Sequence, residues 1–140
     1  MFGLVGLAGA QCACSCGPLI NNPTTLANIL RGTGGNTVCV SNGSGGWTWQ
    51  EQHRGIGTVT TGQLWDFKLG TNPMDPTEQV GTWTVSGTGG NTVVTHSYLG
   101  GSSFTYSVCQ SGVNFGFCLV PSTVATISAT VKTGIATGCP

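Results

Sequence analysis

From residue 36 onward, hydrophobic and polar side chains alternate in short segments separated by glycine-rich turns. A period of two predicts β-strands with one buried face and one polar face, here largely threonine and serine. Short connections favour antiparallel pairing, so the expected fold class is all-β, as a sandwich or a small barrel. The pattern predicts about eight strands, at residues 36–41, 47–53, 63–69, 80–86, 91–98, 103–109, 113–119 and 123–131.

The phase of each alternating segment predicts which side chains share a face. Trp65, Phe67 and Leu69 alternate in the third segment and are expected on one face together. Val113 is expected to align with the phenylalanines of the seventh segment, Phe115 and Phe117.

One short helix, over residues 23–31, is predicted before the first strand. Asn22 is a suitable N-cap, Pro23 fits the first helical position, and Gly32 ends the helix. Its apolar face consists of Leu26, Ile29 and Leu30.

An apolar, cysteine-rich segment, residues 1–17, precedes a single predicted β domain over residues 18–140. Residues 1–10 have the length of a signal-peptide core but are too short to span a bilayer. No cation precedes this run, so we expect either a signal remnant or a retained arm that joins subunits. The apolar side chains of the arm are Phe2, Leu4, Val5 and Leu7.

The composition restricts the possible partners of the protein, because charged side chains are few. Only 6% of the 140 residues are charged, with four cations, four anions and no net charge, against about 25% in ordinary soluble domains. Four scattered cations do not form the basic surface that phosphate recognition requires, which excludes a nucleic-acid partner. The low charge also removes electrostatic resistance to association between copies.

Seven cysteines in a chain of this size indicate disulfides and an oxidising, extracellular compartment. Cys109 could pair with Cys118 around a short loop, and Cys39 with an N-terminal cysteine or with Cys139. The three closely spaced N-terminal cysteines lack the spacing of a zinc site, so no metal is predicted. An odd number leaves at least one thiol free or bonded to another molecule. The cysteines that are candidates for disulfide bonds are Cys12, Cys14, Cys16, Cys39, Cys109, Cys118 and Cys139.

One segment brings aromatic and ionisable residues together. Trp47, Trp49, Glu51 and His53 occupy alternate positions, so in a strand they would share one face and could bind a ligand such as a glycan. The alternative is that both tryptophans face the core while Glu51 and His53 lie near water at the strand end. No nucleophile motif, phosphate-binding loop or dinucleotide-binding pattern occurs, so neither an enzyme nor a cofactor is predicted.

Four stretches resemble small exported proteins of Gram-negative bacteria whose activity is uncharacterised. They are NTVCV at 36–40, WTWQEQHR at 47–54, LWDFK at 64–68 and DPTEQVGTWTVSG at 75–87. The resemblance covers roughly residues 28–139, including the cysteines at 109, 118 and 139. It implies export and an all-β domain, and it implies no activity.

A second, shorter resemblance lies within the last of these stretches. Gly81-Thr82-Trp83 is similar to the Gly-x-Trp signature of lipocalins. That signature lies near the first strand of the lipocalin barrel, whereas here at least three predicted strands precede it.

Two functions remain as hypotheses. The first is a secreted structural protein that self-assembles into an extracellular filament, pilus-like fibre or tube, with the N-terminal arm and the cysteines linking copies of the chain. The second is a monomeric secreted β-barrel that binds a small apolar molecule or a glycan.

Overall fold

The fold is a closed barrel of eight antiparallel strands, in which each strand pairs with the next and the last pairs with the first. The computed structural model describes residues 14–56, 59–67 and 77–140. The all-β prediction is confirmed, and closure selects the barrel over the sandwich. The elements are α1 Pro23–Arg31, β1 Asn36–Ser41, β2 Trp47–Arg54, β3 Thr61–Asp66, β4 Glu78–Ser86, a 3₁₀ turn at Gly89–Asn91, β5 Val93–Tyr98, β6 Ser103–Ser111, β7 Asn114–Leu119 and β8 Ile127–Thr133.

The two ends of the barrel differ because helix α1 directly precedes β1. We call the end that carries α1 the helical end; it also contains the connections at 87–92 and 112–113. We call the opposite end the open end; it contains the connections at 42–46, 99–102 and 120–126. Consecutive strands run in opposite directions, so β2 descends from the open end to the helical end.

Helix α1 has the predicted bounds and the predicted caps. The Asn22 side chain accepts a hydrogen bond from the Thr25 amide, 3.0 Å away, and Pro23 begins the helix. The Asn36 side chain donates to the carbonyl of Ile29, 2.9 Å away, which joins the helix to β1. The helix buries its apolar face against the inner strand residues at this end, which gives a core of Leu26, Leu30, Leu64, Trp83, Val85, Val94 and Val108.

In the third strand Leu64, and not the face that carries Trp65, is turned toward the core. Leu64 is fully buried and lies opposite His53 of β2, whereas Trp65 faces outward beneath the guanidinium of Arg54, 3.9 Å from the ring centroid. Phe67 follows the last residue of β3, and Leu69 lies outside the described residues. The amphipathic indole is stabilised on the outer wall by the stacked cation, which hydrophobicity alone does not reveal.

Two predicted strand bounds also shift. Val113 is 76% exposed in the turn between β6 and β7, so it does not share a face with Phe115. The eighth strand begins at Ile127, because residues 120–126 form turns in which the Ser122 hydroxyl accepts from the Val124 amide.

Three disulfides lie on the outer wall: Cys14–Cys118, Cys16–Cys109 and Cys39–Cys139. The Cys39–Cys139 alternative is therefore confirmed.

The considered Cys109–Cys118 pairing is wrong. Cys109 lies opposite Gly116 and Cys118 opposite Ser107, so the two cysteines are offset along the β6–β7 pair. Each instead reaches the N-terminal segment, which pairs with β6 at Leu19. Gly116 leaves the space that the Cys16–Cys109 bond fills, since a Cβ there would lie 2.8 Å from the Cys16 sulfur.

Within the described residues, no helix has the length and apolarity needed to cross a membrane. Four side chains predicted to form the assembly arm, and the seventh cysteine, lie outside the described residues. These are Phe2, Leu4, Val5, Leu7 and Cys12.

Candidate functional site

A cavity of about 600 Å³ opens at the open end of the barrel. Among the described residues, five neighbouring strands, β2 to β6, supply its walls, so the closed hydrogen-bonded sheet fixes their positions. Trp49 and Phe104 stand at its rim and are 46% and 39% exposed. The described residues that line it are Thr48, Trp49, Glu51, Asp66, Val80, Tyr98, Phe104 and Tyr106.

Three of the four residues predicted to share a face do so. Trp49, Glu51 and His53 lie opposite Val40, Val38 and Asn36 of β1 and face the interior.

Trp47 does not share this face. The register shifts between Val40 and Ser41, and Trp47 pairs with Ser41 on the outer wall. Its indole nitrogen donates to the carbonyl of Pro140, 3.0 Å away, beside the C-terminal segment that Cys39 anchors. A β-bulge adds one residue to one strand and so rotates everything beyond it to the opposite face.

The alternative, in which both tryptophans are buried and Glu51 and His53 lie near water, is wrong. Burial increases along β2 from Trp49 to His53. Trp49 is 46% exposed, the Glu51 side chain is 16% exposed, and His53 is fully buried. The ionisable groups therefore lie below the aromatic rim, inside the barrel.

A chain of hydrogen-bonding groups extends from the cavity wall into the buried core. The Tyr98 hydroxyl donates to Glu51 Oε2 over 2.9 Å, and Glu51 Oε1 lies 3.4 Å from His96 Nδ1. On the far side of its ring, His96 Nε2 lies 2.9 Å from His53 Nε2. Residues of β2 and β5 thus meet across the interior, past two intervening strands.

The two imidazoles are complementary across this contact. Of the facing nitrogens, one Nε2 carries a proton and donates it, and the other accepts.

Burial controls the protonation of these groups. Desolvation raises the pKa of Glu51 to about 7, with Asp66 adding to the rise and the Tyr98 hydrogen bond opposing it. Burial lowers the pKa of His96 to about 4, and burial together with His96 lowers the pKa of His53 well below its usual value. At neutral pH both imidazoles are neutral, whereas the protonated and ionised forms of Glu51 are both populated.

Burial also raises the pKa of Tyr98 and of Tyr106, and the nearby Glu51 adds to both shifts. Both phenols therefore remain hydrogen-bond donors at neutral pH.

The donor atoms of Glu51, His53 and His96 lie within 4.8 Å of one another. Within this cluster, Glu51 Oε1 lies 3.4 Å from one ring nitrogen of His96, and His53 Nε2 lies 2.9 Å from the other. The three sulfurs of Cys14, Cys109 and Cys118 are also close together, but disulfide bonds occupy them.

The charged side chains of the described residues segregate along the barrel axis, and Lys68 and Asp75 lie outside those residues. Three acidic residues lie toward the open end: Glu51, Asp66 and Glu78, which neighbour one another across β2, β3 and β4. Three basic residues lie toward the helical end: Arg31, Arg54 and Lys132.

Arg31 is buried at the helical end without an acidic partner in the described residues. Its guanidinium donates to the carbonyl of Val59 over 2.8 Å, to that of Gly32 over 2.6 Å and to the Asn28 side chain over 2.9 Å. Neutral oxygens satisfy it, so it adds a fixed positive charge opposite the acidic end.

The sequence prediction missed His96 and Tyr98 as partners of Glu51. The signal available was weak: His96 and Tyr98 alternate with Val94 in the fifth predicted strand, where they resemble ordinary inward positions. Their meeting with Glu51 depends on barrel closure, which the sequence pattern left open.

Among the described residues that line the cavity, hydroxyls come from Thr48, Tyr98 and Tyr106, and carboxyl groups come from Glu51 and Asp66. Comparison of the chain with protein-family models, with curated proteins and with solved structures gives no match.

Self-assembly stays a prediction. The described cysteines bond within the chain, and the barrel has no unpaired strand edge among the described strands. The arm residues and Cys12, on which covalent or arm-mediated assembly depends, lie outside the described residues.

Proposed function

We propose that this protein is an exported binding protein that holds a small molecule in the open end of its barrel. The cavity carries the proposal, because about 600 Å³ lies within the 300–1,000 Å³ typical of small-molecule sites. Most of its lining is apolar or aromatic, with a few polar groups at defined positions. The apolar and aromatic residues are Trp49, Val80, Tyr98, Phe104 and Tyr106.

The architecture supports the proposal. Eight-stranded barrels have an interior wide enough for side chains or one small ligand. Here Trp83, Leu64 and the face of α1 fill the helical half, and the cavity lies in the other half, beside Phe117 and Ile127. A ligand would therefore enter only from the open end.

The fixed orientation of the polar groups supports it further. Glu51 is held by Tyr98 from β5 and lies beside His96, so the carboxylate keeps one position below the rim. A site whose polar groups are already oriented loses little entropy when it binds a ligand.

Export is the part of the proposal that the disulfides support. Three disulfides tie both terminal segments to the barrel wall. Such bonds persist in oxidising compartments and are rare in the cytosol.

Titration with the neutral fluorophore N-phenyl-1-naphthylamine tests the binding function. We expect saturable one-to-one fluorescence enhancement by the full chain. Trp49→Ala and Phe104→Ala should each weaken binding about tenfold, since each removes an aromatic wall, with the melting temperature nearly unchanged.

Trp65→Ala is the matched control, because this indole lies on the outer wall beneath Arg54. It should leave the affinity as in the unmodified chain. Non-saturable fluorescence, or equal effects of Trp49→Ala and Trp65→Ala, would refute binding in the cavity.

A further inference from the structure

We propose that a cluster of four sulfurs on the outer wall is an exchange site for low-molecular-weight thiols. The cluster consists of Cys14, Cys16, Cys109 and Cys118, which form two neighbouring disulfides, Cys14–Cys118 and Cys16–Cys109. An external thiolate opens the second bond at Cys16, and the released Cys109 then attacks Cys14. A thiol that reaches only the surface thereby opens a buried disulfide.

The two disulfides are in contact through one pair of sulfurs. Cys109 Sγ lies 3.3 Å from Cys14 Sγ. The sulfurs of Cys14, Cys109 and Cys118 all lie within 4.8 Å of one another. Thiol–disulfide exchange proceeds by direct attack of a thiolate on a disulfide sulfur. A thiolate at Cys109 therefore already lies beside a second disulfide.

Three of the four sulfurs are shielded from solvent. Cys14 is 4% exposed, and Cys109 and Cys118 are fully buried, whereas Cys16 is partly exposed. Access determines which sulfur an external thiolate attacks. The attack therefore falls on Cys16, and Cys109 is the leaving group.

The backbone stabilises the charge that this step places on Cys109. The amide of Cys16 donates a hydrogen bond to Cys109 Sγ over 3.1 Å. A hydrogen bond to the charged form of a group favours that form, and a thiol whose thiolate is stabilised leaves faster. Release of Cys109 is therefore favoured at this position.

Backbone hydrogen bonds hold the segment at residues 14–20 beside β6. The amide of Ile20 donates to the carbonyl of Val108 over 2.8 Å, and the amide of Gln110 donates to the carbonyl of Pro18 over 3.0 Å. These bonds do not depend on a disulfide. The segment therefore stays against the strand, and the sulfurs stay close, when one of the two disulfides opens.

The exchange conserves the number of disulfides. In the first step the external thiolate forms a bond to Cys16 Sγ, the Cys16–Cys109 bond breaks, and its electron pair remains on Cys109. In the second step Cys109 forms a bond to Cys14 Sγ, the Cys14–Cys118 bond breaks, and its electron pair remains on Cys118, which takes a proton from water. The products are a mixed disulfide at Cys16, a Cys14–Cys109 disulfide and a Cys118 thiol.

A matched pair of variants tests the second step. Both carry Cys12→Ala, so that the seventh cysteine supplies no thiol. Cys16→Ser leaves Cys109 as a free thiol, and mass-spectrometric disulfide mapping should find Cys14–Cys109 beside Cys14–Cys118. Cys109→Ser leaves Cys16 as the free thiol instead, and mapping should find Cys14–Cys118 as the bond at Cys14.

Glutathione tests the whole sequence on the chain that keeps all three disulfides and carries only Cys12→Ala. Quenching with a maleimide should label Cys118. The variant Cys16→Ser/Cys109→Ser lacks both the entry point and the internal nucleophile, so labelling should slow at least about tenfold, because the buried bond then opens only through local unfolding. Cys39→Ala/Cys139→Ala is the matched control: it also removes one disulfide and should change the labelling rate by less than about twofold.

Two outcomes would overturn the proposal. The first is rearrangement to the same extent in the Cys16→Ser and Cys109→Ser variants, which would show exchange through the unfolded chain. The second is labelling of Cys118 by the glutathione treatment without any peptide pair linked through Cys14–Cys109, which would show that the external thiol attacks the buried bond directly. The glutathione treatment requires no disulfide variant for this second outcome, and unchanged circular dichroism shows that each variant is folded.

Discussion

Glu51 and Asp66 are direct cross-strand partners, and both carboxylates face the same cavity. The chain has only four acidic residues, and two of them form this cross-strand pair. The two carboxylates therefore interact. Burial is the main cause of the raised pKa of Glu51, and the negative charge of Asp66 raises it further.

Replacing Asp66 with asparagine should lower the pKa of Glu51 below about 7. The fall should be less than about one pH unit, because desolvation remains in place. Carbon NMR of the Glu51 carboxyl group across a pH titration measures this directly. Glu78→Gln serves as the control and should leave the titration unchanged; an upward shift in Asp66→Asn would contradict the assigned repulsion.

Glu51→Gln should stabilise the protein at alkaline pH. The folded-state pKa of Glu51 is about 7 and its ordinary value is 4.5, so the folded state binds more protons between these values and wild-type stability falls as pH rises through them. Glutamine removes this loss while still accepting from Tyr98. Urea unfolding should show a gain of up to about 3 kcal/mol at pH 8 and little change at pH 4.

The pH dependence that His96 contributes to stability provides a second test of the Glu51→Gln result. His96 has a folded-state pKa of about 4 against 6.5, so its contribution to stability rises with pH between those values and opposes that of Glu51. The stability of Glu51→Gln should therefore rise from pH 4 to 6.5 and then level off. A parallel pH profile for variant and wild type would contradict the raised pKa of Glu51.

The His53–His96 hydrogen bond should appear as a coupling free energy in a double-mutant cycle. His96→Leu leaves the Nε2 group of the fully buried His53 without its partner, at a cost of about 2 kcal/mol. The double variant His53→Leu/His96→Leu should lose less stability than the sum of the single variants by about 1 kcal/mol or more. Additive losses in chemical unfolding at pH 7.5 would show that the two rings are not coupled.

Removing the Cys39–Cys139 disulfide should destabilise a barrel that still folds. The bond spans 100 residues of sequence, so Cys39→Ala/Cys139→Ala should lose about 3–4 kcal/mol, mainly because the unfolded chain is less constrained. Denaturant unfolding gives the loss, and an unchanged far-ultraviolet circular dichroism spectrum shows that the strands remain. A reduced wild-type protein as stable as the oxidised one would contradict this role.

Local patterns predicted most of the fold because they act over a few residues. Asn22, Pro23 and Gly32 determine the bounds of α1, and period-two alternation located the strands to within a few residues. Trp65 shows where alternation fails, since an indole stacked under Arg54 is stable on an outer wall.

The candidate site was only half predictable because it depends on closure. Trp49, Glu51 and His53 follow from alternation along one strand, whereas Tyr98 meets Glu51 from 47 residues away in sequence. Trp47 left the predicted face because of a single register shift in β1–β2 pairing. Strand order and bulges arise from the packing of the whole barrel, which no short window of sequence contains.

The connectivity of the outer-wall disulfides has a consequence for proteolysis. A cut in the backbone between Cys16 and Cys118 leaves both fragments joined through Cys14–Cys118, and a cut between Cys118 and Cys139 leaves them joined through Cys39–Cys139. One proteolytic nick in this region therefore adds a water molecule to the mass without releasing a fragment. A protein cross-linked in this way remains one covalent molecule after a single cut.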